Sequence, residues 1–168
     1  QRFYPQEIVT HAEDEAVDGG VYTISPACAP GKCLDVSGAE VTNGTNIRQY
    51  AANSTDAQKF LLTKNGDFWT VTCYKGGKAI DVAGGSAKNG TNVWEYRRNG
   101  SAAQDWTLTR NADGSYSFDS RLGKALDISG ASGDDYANAQ IYDSNGSSAQ
   151  KFFLTKQDVP QVYDGTYR

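Results

Sequence analysis

Three aspartates recur at a constant spacing, each inside an apolar stretch. Asp35, Asp81 and Asp127 lie 46 residues apart, in the segments GKCLDVSG, GKAIDVAG and GKALDISG. Alternation along a half-buried strand places the apolar neighbours on the core face and the acid on the opposite face. An ionised carboxylate only accepts hydrogen bonds, which suits a ligand with adjacent hydroxyl groups. The sequence therefore predicts three equivalent acceptor sites.

The same spacing repeats the residues that would complete each site. The aromatic residues are Tyr50, Tyr96 and Tyr142, and the polar residues are Asn53, Asn99 and Asn145. A tyrosine ring offers a flat apolar face to the C–H side of a pyranose, and an asparagine amide both donates and accepts. Two residues before each tyrosine the copies differ, with Arg48, Trp94 and Gln140. We expect the Trp94 copy to be the strongest site, the Gln140 copy the second, and the Arg48 copy to favour an acidic sugar.

Short strands must position these side chains. Each copy has a leading aromatic-x-apolar strand, the strand with the acid, a strand before the tyrosine, and a closing strand that begins at Phe60, Trp106 or Phe152. One copy alone is a sheet with open edges, whereas three copies can close a single core. Three blades are too few for a propeller. The prediction is an all-β domain of about twelve strands with three-fold symmetry.

These motifs resemble the ricin-B-type β-trefoil lectins, also called carbohydrate-binding module family thirteen. The resemblance covers about Val21 to Thr155 and rests on the Gly-Lys-x-Leu-Asp-Val strand, the Asn-Gly-Thr-x-Val segment and a Gln-x-Trp motif that reads QKF, QDW and QKF here. It implies a β-trefoil of three repeats of about 46 residues, with four strands each, over residues 19–156. It also implies up to one shallow sugar pocket per repeat, in which the acid accepts hydroxyls and the tyrosine stacks on the ring.

The chain departs from the family pattern at one position. Members that bind galactose or xylose often have asparagine directly before the glutamine of the closing motif, where this chain has Ala57, Ala103 and Ala149. Two functions therefore stay open. The first is non-catalytic binding that anchors a larger exported protein to a galactose-, xylose- or arabinose-containing glycan. The second is a structural or protein-interaction trefoil with degenerate pockets, in which the acids satisfy backbone donors and the tyrosines pack at the rim.

Composition restricts the other classes. The net charge of −4 argues against nucleic acid as a partner, and the longest apolar runs fall short of the ~20 residues of a membrane span. His11 is the single histidine, and no triad, metal-ligand spacing or phosphate loop is present, so we predict no enzyme, no cofactor and no metal site. We expect Gln58, Gln104 and Gln150 to be buried and bonded to backbone groups, in a structural role.

The ends and the cysteines complete the prediction. We expect residues 1–18 to form a linker or extension and residues 157–168 a linker and the start of a next module, in a monomer within a secreted or cell-surface bacterial protein of several domains. Cys28 and Cys33 flank a short turn, and either a disulfide or free thiols fit that spacing. We expect Asp134 and Asp135 to lie in an exposed loop rather than to form a cation site.

Overall fold

A computed structural model describes residues 15–160 of the chain, which contain twelve β-strands. The first lobe comprises β1 (Val21–Pro26), β2 (Lys32–Val36), β3 (Ile47–Ala51) and β4 (Phe60–Asn65). The second lobe comprises β5 (Phe68–Cys73), β6 (Ala79–Val82), β7 (Thr91–Tyr96) and β8 (Trp106–Arg110). The third lobe comprises β9 (Tyr116–Ser120), β10 (Ala125–Ile128), β11 (Ala139–Tyr142) and β12 (Phe152–Lys156). The predicted four strands per repeat are confirmed.

Six of these strands close a barrel. Antiparallel pairing runs from β1 to β4, β5, β8, β9 and β12, and β12 pairs again with β1. The register is continuous in the long pairs, for example from Phe60 opposite Cys73 to Asn65 opposite Phe68. Closure leaves none of the six barrel strands with an open edge, which a single lobe could not achieve.

The other six strands form three hairpins that cover one end of the barrel. The hairpins are β2–β3, β6–β7 and β10–β11, and in each the strand with the aspartate pairs with the strand that leads to the tyrosine. Six short 3₁₀ turns follow the strands: Ser37–Ala39, Asp56–Gln58, Ala83–Gly85, Ala102–Gln104, Ser129–Ala131 and Ser148–Gln150. A six-stranded barrel with three capping hairpins is a β-trefoil, and the predicted fold class is confirmed.

The core lies inside the barrel and beneath the hairpins. The closing aromatics Phe60, Trp106 and Phe152 are all fully buried, and Phe152 packs edge-to-face on Phe118 at 5.7 Å. The apolar neighbours of the three acids are equally enclosed, because they face inward from their strands: Leu34, Val36, Ile80, Val82, Leu126 and Ile128. Leu108 on β8 is only partly buried, at the edge of this core.

Three asparagines mark the pseudo-three-fold axis. Asn46, Asn92 and Asn138 are again 46 residues apart. Asn46 Nδ2 donates to Asn138 Oδ1, and Asn138 Nδ2 donates to Asn92 Oδ1, both at 2.8 Å. Equivalent residues from three lobes can contact one another only around their common axis, so these amides join the lobes where the hairpins meet.

Glycine is required after each aspartate strand. Gly38, Gly84 and Gly130 have φ values of 65°, 63° and 67°, within the 3₁₀ turn that follows the strand. This left-handed conformation favours glycine because a Cβ would strain it. The final glycine of the GKxLDVxG motif therefore suits the turn that follows the aspartate strand.

The remaining sequence predictions concern the ends and the cysteines. Residues 1–14 and 161–168, with His11 and most of the predicted end segments, lie outside the described residues. Cys28, Cys33 and Cys73 are free thiols. Within residues 15–160, no helix is long and apolar enough to cross a membrane.

Candidate functional site

Each repeated aspartate accepts two hydrogen bonds from side chains of its own lobe. In the second lobe, Trp94 Nε1 donates to Asp81 Oδ1 and Gln104 Nε2 donates to Asp81 Oδ2, both at 2.8 Å. The third lobe repeats this with Gln140 and Gln150 on Asp127, each at 2.9 Å. The acid and the residue two positions before the tyrosine meet because their strands pair, as in Asp81 opposite Trp94.

The glutamine of the closing motif fixes the loop as well as the acid. Gln104 Nε2 also donates to the Arg97 carbonyl at 2.9 Å, and Gln104 Oε1 accepts from the Asn99 backbone N–H at 3.0 Å. Gln58 and Gln150 make the same contacts in the other lobes. The sequence predicted a buried glutamine bonded to backbone, and the additional bond to the aspartate is what it missed.

The acids form the floor of each site rather than an exposed face. Asp35, Asp81 and Asp127 are 3%, 5% and 5% exposed, far less than the alternation pattern predicted. The strand beside each acid and the 3₁₀ turn with the glutamine cover it from two sides. A carboxylate has about four lone-pair positions, and two protein donors leave about two for a ligand.

The second lobe has a cavity of about 550 Å³, larger than the one in the third lobe. Asp81 lies at its base, and the walls include Trp94, Tyr96 and Asn99. The Trp94 and Tyr96 rings are stacked, with centroids 5.8 Å apart and planes 21° apart. Leu122 reaches this cavity from the turn between β9 and β10, so the third lobe completes the wall. The site combines a carboxylate acceptor with two neighbouring aromatic surfaces.

The third lobe has an equivalent but more polar cavity of about 430 Å³. Asp127, Gln140, Tyr142 and Asn145 line it. Tyr142 is 41% exposed and its ring is therefore open to water. The lobe offers a carboxylate, an amide and a single aromatic face.

The first lobe differs because a cation takes the place of the neutral donor. Arg48 Nε donates to Asp35 Oδ1 at 3.1 Å, and Gln58 Nε2 donates to Asp35 Oδ2 at 3.0 Å. The Arg48 guanidinium carbon lies 4.9 Å from the ring centroids of both Tyr50 and Tyr136. The neighbouring Tyr136 phenol raises the pKa of Tyr50. The structure thus brings Asp35, Arg48 and Tyr50 together, with a tyrosine of the third lobe added.

The predicted asparagines shape the loop above each acid. Asn99 Oδ1 accepts from the Ser101 N–H at 3.0 Å, and Asn53 and Asn145 make the same local bond. Asn99 and Asn145 also line the two cavities. Ala103 and Ala149, at the positions where sugar-binding relatives often have asparagine, contribute apolar wall to the same cavities.

Two residues at these sites escaped the sequence analysis. Tyr136 and Leu122 each reach a site that belongs to another lobe. The sequence of a single repeat does not show such contacts between lobes. Tyr136 could still have been found, because the equivalent positions 46 residues apart are Gly44 and Gly90. A tyrosine that breaks a glycine repeat is a detectable signal.

The fold, with a carboxylate at the base of a cavity in two of its lobes, defines this chain as a β-trefoil of the lectin type. The chain matches the family described as ricin-type beta-trefoil lectin domain-like over residues 7–94, 65–123 and 102–167. It therefore belongs to the ricin-type β-trefoil lectin domain-like family. No curated protein matches the chain.

Solved structures give the same architecture. The designed three-fold symmetric protein ThreeFoil is 34% identical, with 81% of this chain and 98% of that one covered and a TM-score of 0.78. An exo-β-1,3-galactanase from Clostridium thermocellum is 29% identical, with 85% of this chain covered and a TM-score of 0.78, but this chain covers only 31% of the galactanase. A ricin B-like lectin from Macrolepiota procera, solved with lactose, is 18% identical, with 85% and 99% covered and a TM-score of 0.75, which shows the fold alone.

Proposed function

We propose that this chain is a non-catalytic carbohydrate-binding domain whose main sites are the cavities of the second and third lobes. The observation that carries the proposal is the second-lobe cavity, where a carboxylate with unused acceptor positions lies beneath two aromatic rings. Acceptors suit vicinal hydroxyls and aromatic faces suit the C–H side of a sugar ring. Each lobe contributes one repeated acid, whereas a glycosidase needs two opposed carboxyl groups.

The proposed ligand is a galactose-, xylose- or arabinose-containing glycan. The Macrolepiota procera lectin was solved with lactose, a galactoside, and the Clostridium thermocellum protein is named as a galactanase. Membership of carbohydrate-binding module family thirteen and attachment to a larger exported, bacterial protein are part of the same proposal. In that setting the domain would hold its parent protein on the polymer.

A single cavity should bind weakly. Two hydrogen bonds to the carboxylate at ~1.5 kcal/mol each and ~1 kcal/mol of stacking give a dissociation constant near 1 mM. Ala103 and Ala149 offer no polar side chain to the sugar, so they add no hydrogen bond that would lower this dissociation constant. Useful affinity then comes from two lobes on one polymer, through effective concentration.

Heteronuclear NMR on the intact 168-residue chain tests the proposal. Methyl β-galactoside, β-xyloside and α-arabinoside are titrated to about 20 mM, a concentration well above the expected dissociation constant. Tyr96→Ala should abolish the shifts of the second lobe, and Tyr142→Ala those of the third. Tyr50→Ala is the matched control, since it removes the equivalent tyrosine from the lobe with Arg48. Absence of shifts at both cavities with every sugar would refute the proposal.

One observation favours the alternative of a structural or protein-interaction trefoil. All three acids are nearly buried and already hold two protein donors, as a purely architectural residue would. If the acids are architectural, a broad glycan array will show no binding by a folded chain. Unchanged backbone spectra with every sugar, together with native thermal stability, would then favour this alternative over sugar binding.

A further inference from the structure

The first-lobe site receives an aromatic residue from the third lobe at a position where the other two sites have glycine. Tyr136 occupies the position of Gly44 and Gly90, and it adopts the same left-handed backbone, with φ of 74° against 89° and 86°. A tyrosine is strained there, whereas glycine is not. Its side chain is 63% exposed. Strain held by an exposed residue points to a role beyond packing.

This position lies directly above the residue that distinguishes the lobes. A Cβ on Gly44 would be 3.6 Å from the Trp94 ring, and a Cβ on Gly90 would be 3.9 Å from Gln140 Oε1. In the first lobe, the actual Tyr136 side chain places its ring 4.9 Å from the Arg48 guanidinium carbon and 5.3 Å from the Tyr50 ring. Two aromatic rings and a guanidinium therefore form a triangle at the surface.

The guanidinium in this triangle has donors to spare. Among residues 15–160, the Arg48 side chain makes one hydrogen bond, from Nε to Asp35, so neither terminal nitrogen has an acceptor there. The Arg48 side chain is 21% exposed. Tyr50 and Tyr136 cover it with ring faces, which attract the cation but take up no N–H donor. A ligand that reaches the triangle meets a planar pair of N–H groups.

The charge of the first-lobe site also differs from that of its equivalents. Trp94 and Gln140 are neutral, so neither supplies a cation to the acid beneath it. Arg48 cancels the charge of Asp35, and the neighbouring Asp135 is paired with Lys32 at 2.8 Å. The hydrogen bond from Lys32 lowers the pKa of Asp135 and keeps that carboxylate ionised. The first lobe therefore presents cationic donors on a locally neutral background.

We propose that the first lobe binds a uronic acid, a pyranose with a carboxylate on its ring, in contrast to the neutral sugars of the other lobes. The carboxylate accepts two hydrogen bonds from the Arg48 terminal nitrogens, the geometry in which arginine binds carboxylates best. The sugar ring then lies on Tyr50 or Tyr136, because both centroids are 4.9 Å from the guanidinium carbon. This assignment rests on the proposed carbohydrate-binding function.

Two sugars that differ at one carbon test it. Methyl β-galactopyranosiduronate has a carboxylate at C6 where methyl β-galactopyranoside has a hydroxymethyl group. Each is titrated into the intact chain, and the backbone amides of Arg48, Tyr50 and Tyr136 are followed by NMR. We expect the uronate to bind the first lobe at least about tenfold more tightly than the neutral sugar, the ratio that a charge-assisted bidentate contact provides. Added NaCl should weaken this binding.

Three variants isolate the cause. Arg48→Gln installs the residue type of the third lobe and should remove the tenfold preference. Tyr136→Gly installs the residue of the other two lobes and should weaken uronate binding while the chain stays folded. Arg98→Gln is the matched control, because it removes an equal charge from an exposed arginine on the β7–β8 loop.

The outcomes separate the two proposals. If the neutral sugar shifts the second and third lobes but the uronate leaves the first lobe unshifted, the uronic acid assignment is wrong and the general function stands. If Arg48→Gln keeps the preference, the assignment is also wrong. If neither sugar shifts any lobe of the folded chain, both proposals fail.

Discussion

Replacing Glu95 by glutamine should stabilise the protein, and the gain should grow with pH. Glu95 lies on β7 with no exposed surface, and neither carboxyl oxygen has a hydrogen-bond partner among residues 15–160. Its equivalent in the first lobe, Gln49, donates from Nε2 to the carbonyls of Ser132 and Asp134, both at 2.9 Å. The amide therefore leaves one buried polar atom without a partner, Gln49 Oε1, where the carboxyl group of Glu95 leaves two.

The symmetry of the lobes shows which carbonyls a glutamine at position 95 would face. Tyr136 N donates to Gln49 O, and Gly44 N donates to Glu95 O, each at 2.8 Å. The turn that follows Glu40 thus contacts β7 as the turn that follows Ser132 contacts β3. A glutamine at position 95 would face the carbonyls of residues 40 and 42, of which that of Thr42 already accepts from the Thr45 N–H and hydroxyl. One new hydrogen bond, to the carbonyl of residue 40, gives about 1 kcal/mol, or roughly 3 °C in Tm for a domain of this size.

The sign of the pH dependence follows from the carboxyl group. Burial raises the pKa of Glu95 above its usual value, an effect that the adjacent Cys73 and Thr45 side chains and the Lys78 charge partly offset and that Glu40 strengthens. A raised folded-state pKa means that the favourable contribution is complete below the unfolded value near 4.3 and is lost as pH rises through the folded value. The free energy of unfolding of the wild-type chain should therefore decrease relative to that of the variant as the pH rises from acid to neutral.

Urea unfolding at pH 4, 6 and 8 measures this difference. We expect the gap between Glu95→Gln and the wild type to be smallest at pH 4 and about 1 kcal/mol or more at pH 8. Gln49→Glu is the matched reverse change and should lose stability as pH rises. A variant that is less stable than the wild type at pH 8, or a gap that does not change with pH, would refute the reasoning.

Two further predictions concern the buried polar network and the thiols. Gln104→Leu should reduce the free energy of unfolding by about 3 kcal/mol, because it removes the partner of Asp81 Oδ2, of the Arg97 carbonyl and of the Asn99 N–H; a loss below ~1 kcal/mol in urea unfolding would contradict this. Iodoacetamide at pH 7.5 should label Cys28 before Cys73. Burial raises the pKa of both thiols, but Cys73 is 2% exposed whereas Cys28 is only partly buried. Peptide mass spectrometry on the folded chain checks the order, and early modification of Cys73 would count against it.

The barrel was predictable because its determinants are local and repeated. Apolar residues at period two predict the strands. The 46-residue step from Asp35 to Asp81, repeated to Asp127, indicates three copies that share one core. Contacts between residues that are distant along the chain were harder to predict. Alternation alone leaves Asp81 facing water, yet Trp94 and Gln104, which are distant along the chain, close over it.

The differences between lobes were only partly predictable. The residue types at 48, 94 and 140 were visible in the repeat and predicted unequal sites. The contact of Tyr136 with Arg48 depends on how the third lobe meets the first, and so does the wall that Leu122 adds to the second-lobe cavity. Such contacts follow from the packing of the hairpins around the axis, which no single repeat encodes.

Crystals of the chain soaked with 50 mM methyl β-galactoside, β-xyloside or α-arabinoside give the most direct test of sugar binding in the second lobe. We predict density for at least one sugar in the cavity above Asp81, with two hydroxyl oxygens within hydrogen-bonding distance of the carboxylate and the sugar ring against Tyr96 or Trp94. An empty second-lobe cavity with all three sugars, in crystals where packing leaves that cavity open, would contradict it.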